Sequence, residues 1–413
     1  MPIPISAKVQ QLRPSPSMAA KQRVLELEAA GRTILDFCLG EPDFDTPAFI
    51  VDAAEQAMRA GDTHYTAAQG KLSLREAVSR KLATENGVDY APAEIVIGNG
   101  AKQLIFEVLA ATLSEGDEVI VPTPYWVSYP DIVTLNGGVP VITTCGPEVN
   151  FKLTPEILEA AITERTRWLI VNSPSNPTGA VYTRDEWLGL VAVLDRHPQV
   201  ALMTDEIYEK IFYDDHRTIT PTAIAPGLRD RCVVVNGMSK AYAMTGWRVG
   251  YAAGPVEVIK AVTKLLSQST SCPCAFAQTA ATVALETENP AVEQMLEAYA
   301  ERRQLIVEGL NAAPGIACAL PDAAFYVFAD VRPLLGTVTS DGRSIATDID
   351  LLDYLLDEAS VAVMDGTSYG TPGFLRLSFA ASNETIRAGV AAIAAAVSQL
   401  TATQQAFEKA DYA

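Results

Sequence analysis

Short apolar, β-branched runs alternate along most of this chain with longer stretches of helical periodicity. Glu94–Ile97, Glu118–Val121, Trp168–Val171, Val200–Met203, Cys232–Val235 and Val249–Ala253 read as buried strands. Helical patterns such as Leu74–Glu85, Lys102–Leu113 and Arg184–Asp195 lie between them. This alternation predicts an α/β fold with a mostly parallel central sheet flanked by helices on both faces. Beyond it a long helix is expected over Ala291–Asn311. The strands Phe325–Ala329, Val361–Met364 and Phe374–Phe379 then suggest a smaller α+β domain. At the start, residues 1–20 are rich in Pro and Ser and read as an extended arm that packs on a partner subunit. Residues 19–30 read as a helix ended by Gly31. Ile34–Leu39 reads as a short strand before the turn Gly40-Glu41-Pro42-Asp43. The expected division is an arm (1–20), a large domain (49–295) and a small domain assembled from 21–48 and 296–413. No internal repeat is visible.

Composition narrows the function. With 413 residues, 49% hydrophobic and 20% charged, the chain can bury a large core. Its net charge of −19 argues against nucleic acid and anionic lipid as partners. No run approaches the ~20 apolar residues of a membrane span. The N-terminal residues lack the apolar stretch of a secretory signal. Six cysteines without a C-x-x-C pair read as free thiols in a reducing cytoplasm. Three scattered histidines give little material for a metal site, so none is expected.

In an open α/β sheet, ligands gather beyond the carboxyl ends of the strands. After Ile97 comes Gly98-Asn99-Gly100-Ala101-Lys102, a small-residue turn opening a helix, which suits a phosphate. After Val121 comes Tyr125-Trp126, and after Val171 comes Asn172-Ser173-Pro174-Ser175-Asn176-Pro177. Met203 is followed by Asp205-Glu206-Ile207-Tyr208. Val235 is followed by Gly237-Met238-Ser239-Lys240, with Arg248 eight residues further on. A partly desolvated lysine in that position can form a Schiff base with an aldehyde cofactor, and Ser239 and Arg248 can hold its anionic group. Singly, each residue has a plainer reading: Lys240 as a solvated loop residue, Trp126 as core, Asp205 as a helix cap, Asn176 as a turn residue. Together they suit an aromatic, phosphorylated, pyridine-type cofactor. The dinucleotide fingerprint is missing, and Tyr65 stands where a P-loop ending at Gly70-Lys71 needs its first glycine.

These segments resemble a known family. The motifs Gly40–Pro47, Tyr125–Pro130, Asn172–Gly179, Asp205–Tyr208 and Ser239-Lys240 through Gly246-Trp247-Arg248 are similar to those of the fold-type I, pyridoxal-phosphate-dependent class I aminotransferases. Within them the chain is most like the bacterial aspartate aminotransferases of the Iβ subgroup, over nearly its whole length.

The resemblance implies pyridoxal 5′-phosphate as cofactor, bound by the large domain, and a role for each matching residue. Lys240 would be the Schiff-base lysine and proton carrier. Asp205 would face the pyridine nitrogen. Asn176 and Tyr208 would bond the ring oxygen, and Trp126 would stack on the ring. Gly100, Ala101, Lys102, Ser239 and Arg248 would hold the phosphate, with Tyr65 arriving from the second subunit of a homodimer. Arg376 would clamp the substrate α-carboxylate with help from the Gly40 backbone.

There are departures from the pattern. Gly237 stands where some relatives have a hydroxyl residue. No arginine lies around Ser267–Cys274 to take a side-chain carboxylate, and the resemblance gives that task to Lys102, with Ser15 and Ser17 as possible helpers in the arm. The implied reaction is transamination between an amino acid and a 2-oxo acid: L-aspartate and 2-oxoglutarate giving oxaloacetate and L-glutamate. Alternatives are an aromatic amino acid as donor, prephenate as acceptor, or elimination or decarboxylation on the same scaffold. A metabolite-sensing regulator would need a DNA-binding module that the short arm does not supply.

Overall fold

The computed structural model describes residues 3–12, 14–288 and 290–402. Residues 1, 2 and 13 of the expected arm and 403–413 of the expected small domain lie outside them. At the centre is a seven-stranded sheet: β1 Ile95–Gly98, β2 Glu118–Pro122, β3 Val139–Thr143, β4 Thr166–Asn172, β5 Ala201–Asp205, β6 Cys232–Gly237 and β7 Gly250–Ala253. Their spatial order is β1-β7-β6-β5-β4-β2-β3. Only β7 runs against its neighbours, so the sheet is mostly parallel, as the alternation predicts.

Alternate residues of the strands point to opposite faces, and both faces are covered. Ile95, Ile97 and Val234 pack under the helices Ala48–Arg59, Leu72–Lys81 and Ala275–Glu286. Val96, Val119, Val121, Ile170, Val233 and Val235 pack on the other side with Ala101–Thr112 and Val256–Ser269. Ile120, Leu169, Val171 and Leu202 meet helix Arg184–Arg196 through Trp187, Leu190 and Leu194. Register aligns the strand ends that matter. Asn172 pairs with Asp205, and Asp205 with Val235, so β4 and β5 deliver their last residues to one rim beside the end of β6.

A second, antiparallel sheet contains β8 Tyr326–Asp330, β9 Met364–Asp365 and β10 Phe374–Ser378 in the order β9-β10-β8. Helices Ala291–Asn311, Asp348–Ala359 and Asn383–Val397 build its core. The early segment joins this late one. Leu35–Asp36 pairs parallel with Val361–Ala362, and Ser378 N–H donates to Phe37 O at 2.9 Å. Among the described residues no helix is long and apolar enough to cross a membrane.

Three expectations need correction. The arm is not extended to residue 20. Short helix Ala7–Gln11 interrupts it, and the next helix begins at Pro16, where a residue without an N–H fits the first turn. Strand β3 is absent from the sequence reading. It is a half-exposed edge strand carrying Pro140, so neither alternation nor composition marks it. The single strand expected over Val361–Met364 is two short ones, in different sheets.

Candidate active site

A cavity of about 330 Å³ opens at that rim, between the two sheets. Of the residues expected at the site, Gly40, Ala101, Lys102, Trp126, Asn176, Asp205, Tyr208, Ser239, Lys240, Arg248 and Arg376 line it. Gly100 lies just behind, against Arg248. Tyr65 does not line it. Tyr65 is 90% exposed, in a groove beside Cys272 and Pro273. Ser17 of the arm reaches the cavity, and Ser15 does not line it.

Asp205 ends β5 with its carboxyl buried. It accepts from Tyr129 Oη at 2.7 Å and from the Ile207 N–H at 3.3 Å. Burial outweighs these bonds and the Lys240 charge, and pushes the carboxyl up to about 6. Its carbonyl is fixed by the Asn172 side-chain amide at 2.8 Å and the Ser173 N–H at 3.1 Å. The carboxylate is thus rigid and short of positive charge.

Lys240 lies in the single connection between β6 and β7, which also carries Ser239 and Arg248. Its Nζ donates to Gly40 O at 2.5 Å. Burial first, opposed by Glu41 and Asp205 and joined by Arg248 and Arg376, lowers the amine to about 8. The amine is therefore partly unprotonated near neutral pH, the state a nucleophile needs.

Glycines shape the corner beside it. A Cβ on Gly100 (φ +86°) would strike the Arg248 guanidinium. Arg248 reaches Thr245 O at 2.8 Å and Asn99 O at 3.3 Å. Helix Ala101–Thr112 starts there with no side chain capping its first N–H groups, which leaves them to an anion. At Gly237 a Cβ would lie 2.9 Å from Gly250 Cα and Val249 O. A hydroxyl residue would push β6 from β7, so an anion here depends on Ser239, Arg248 and the helix terminus.

Arg376 on β10 is 2% exposed. Its Nη2 donates to Cys38 O and its Nη1 to Asn176 Oδ1 at 3.5 Å, while Nε has no partner. Rings of Tyr326 and Tyr369 face the guanidinium at 4.7 and 5.5 Å. A buried, unmatched guanidinium donor calls for a ligand carboxylate. On the far wall Trp126 meets Tyr129 edge-on at 5.3 Å, and Lys102 Nζ lies 4.7 Å from the Trp126 ring centroid. Burial first, then Arg248, lowers the Lys102 amine.

Sequence reasoning assigned no role to Tyr129, Asn172 or Tyr326. Tyr129 and Asn172 stood inside quoted motifs, but their partners depend on tertiary register. Tyr326 had only strand alternation to mark it.

Beside Asp205, Glu206 is fully buried, accepting from Thr204 Oγ1 at 3.1 Å and Thr220 Oγ1 at 2.7 Å. Burial and then Glu209 raise its carboxyl to about 8 from 4.5. Its folded pKa lies above the unfolded one, so its stabilising share is complete below pH 4.5 and lost as pH rises through 8. Glu206→Gln is expected to flatten the fall in melting temperature between about pH 5 and 9; an unaltered slope would remove Glu206 as its source.

Comparison with known proteins gives one family. The model described as aminotransferase class I and II matches residues 32–393. An aspartate/prephenate aminotransferase of Cereibacter sphaeroides is 49% identical over 391 residues, covering 95% of this chain and 98% of that one. An aspartate aminotransferase of Rhizobium meliloti is 46% identical over 379 residues, 92% of each chain. A crystal structure of the aspartate aminotransferase from Rhizobium meliloti superposes with a TM-score of 0.94 at 44% identity, covering 97% of this chain and 100% of that one. Aspartate aminotransferase from Thermus thermophilus with maleate gives 0.90 at 40% identity, over 95% and 100%.

Proposed function

The chain belongs to the class I and II aminotransferases, and from that premise we propose that it exchanges amino groups between L-aspartate and 2-oxoglutarate at the Lys240 cavity. The observation that carries this reading is the setting of one amine. Lys240, lowered to about 8, shares a cavity with a buried carboxyl and a buried guanidinium whose Nε lacks a partner.

The residues fit pyridoxal 5′-phosphate, the family's cofactor. The phosphate is matched by Arg248, Ser239 and the uncapped helix terminus behind Gly100. Asp205 matches the pyridine nitrogen, Asn176 and Tyr208 the ring oxygen, and Trp126 the ring face. Bound there, the group supplies an electron-withdrawing ring that takes up the electron pair left when the substrate Cα–H bond breaks. Asp205, short of positive charge, holds a proton on the ring nitrogen. Lys240 would hold the group's aldehyde carbon through Nζ and, with that amine free, would carry the substrate Cα proton. Arg376 fixes the α-carboxylate through a planar fork that a lysine cannot copy. Lys102 at the mouth takes the side-chain carboxylate, with Ser17 beside it.

Prephenate as a second acceptor is supported by the likeness to the aspartate/prephenate aminotransferase of Cereibacter sphaeroides. We also infer a homodimer in which Tyr65, turned away from its own cavity, completes the neighbour's phosphate corner. Six free thiols support a reducing, cytoplasmic setting. The division into a domain over 49–295 and one from 21–48 and 296 onward belongs to the same reading, supported by the core under β8–β10, which draws in Ile207, Tyr208, Ile211 and Tyr213 from the larger part.

The test is direct. Purified protein should absorb in the visible, lose that band on addition of L-aspartate, and release oxaloacetate; no band, or a band indifferent to every amino acid, would end the reading. Lys102→Ser should cost about tenfold more in kcat/KM for aspartate than for alanine. Equal losses would take Lys102 out of side-chain recognition.

A further inference from the structure

Tyr326 opens β8, is 0% exposed within the protein, and lines the cavity. Three site segments converge on it. Its hydroxyl is 2.8 Å from Tyr208 Oη. Its ring lies 4.7 Å from the Arg376 guanidinium carbon. A Cβ on Gly40 would stand 2.6 Å from its oxygen, so the Gly40 turn, whose carbonyl holds Lys240, can pack there only as glycine. Register explains the arrangement. Tyr326 pairs with Ser378 and Phe328 with Arg376, making Tyr326 and Arg376 diagonal neighbours on one face of the antiparallel sheet.

Two phenols at this distance share one proton along the line between them. The Arg376 cation at the Tyr326 ring polarises that hydroxyl as donor. Tyr208, buried beside Asp205, then accepts, and its own proton is left for the cavity. We propose that Tyr326 is a positioning residue: its hydroxyl donates to Tyr208 and aims the Tyr208 proton at the ligand, while its ring holds the Arg376 fork in place. This rests on the transamination reading and adds a residue to it.

The experiment is a double-mutant cycle on the cofactor-loaded protein with Tyr326→Phe, Tyr208→Phe and the double variant. Readouts are the pH midpoint of the Lys240-linked absorbance band, and kcat and KM for L-aspartate. A donor on the cofactor's ring oxygen draws charge from it, so the linked nitrogen binds its proton less tightly. Tyr326→Phe should therefore raise the midpoint and lower kcat about fivefold, the worth of one hydrogen bond. KM should stay within about twofold, because the ring remains over Arg376. With Tyr208 already Phe, adding Tyr326→Phe should do nothing more. A midpoint and kcat unchanged in Tyr326→Phe would overturn the proposal. So would full additivity in the cycle, which would mark a general packing role. Melting temperatures of all four proteins separate misfolding from misplacement, and Tyr208→Phe must show the same upward midpoint whatever happens to Tyr326. A wild-type protein with no band would instead defeat the underlying reading.

Discussion

Lys240→Ala should lower transamination by about 10⁴-fold or more, because one side chain performs two tasks. In the proposed reaction its amine would make way for the substrate's amino group and would then move the Cα proton. Among the described residues Lys102 is the other lysine lining the cavity, and it stands against Trp126 rather than at Gly40 O. The cofactor should still bind to the variant through Ser239, Arg248 and the helix terminus, without a covalent link. Borohydride reduction followed by peptide mapping should label Lys240 in the parent protein and nothing in the variant. Wild-type turnover in Lys240→Ala, or a label on another residue, would refute the assignment.

Asp205→Asn should reduce kcat by about 10² to 10³, the scale of removing one fixed electrostatic partner from a dry site. Asparagine preserves the shape and can keep a bond to Tyr129, but it cannot hold a proton on a ring nitrogen. The sign follows from the raised carboxyl. With no cation opposite, Asp205 takes up a proton below about pH 6; a cationic ring nitrogen facing it keeps it ionised at lower pH. The variant should therefore lose rate across the pH range rather than only at its acid end. Single-turnover measurements with aspartate would isolate the chemical step; an unchanged rate there would leave Asp205 a structural residue.

Much of this could be read from the chain, for identifiable reasons. Strands buried on both faces are continuous apolar runs, so β1, β2, β4, β5 and β6 stood out, and residues just past them line one cavity. Edge strand β3 did not, because it is half-exposed and carries Pro140. The helix from Pro16 was hidden by Pro and Ser residues that looked like a linker but serve as a helix start. Tyr129 and Tyr326 escaped because their importance lies in contacts across 76 and 118 positions of sequence. Such contacts leave no local trace. Gly237 was seen as a departure but could not be explained until β7 was placed against it.

The pairing of Leu35–Asp36 with Val361–Ala362, together with the Arg376 bond to Cys38 O, governs when this catalyst can first exist during translation. A nascent polypeptide that has left the ribosome only as far as Ala253 has Ser239, Lys240 and Arg248, but neither Arg376 nor the Tyr326 that stands behind Gly40. Working machinery therefore appears only once nearly the whole message has been read.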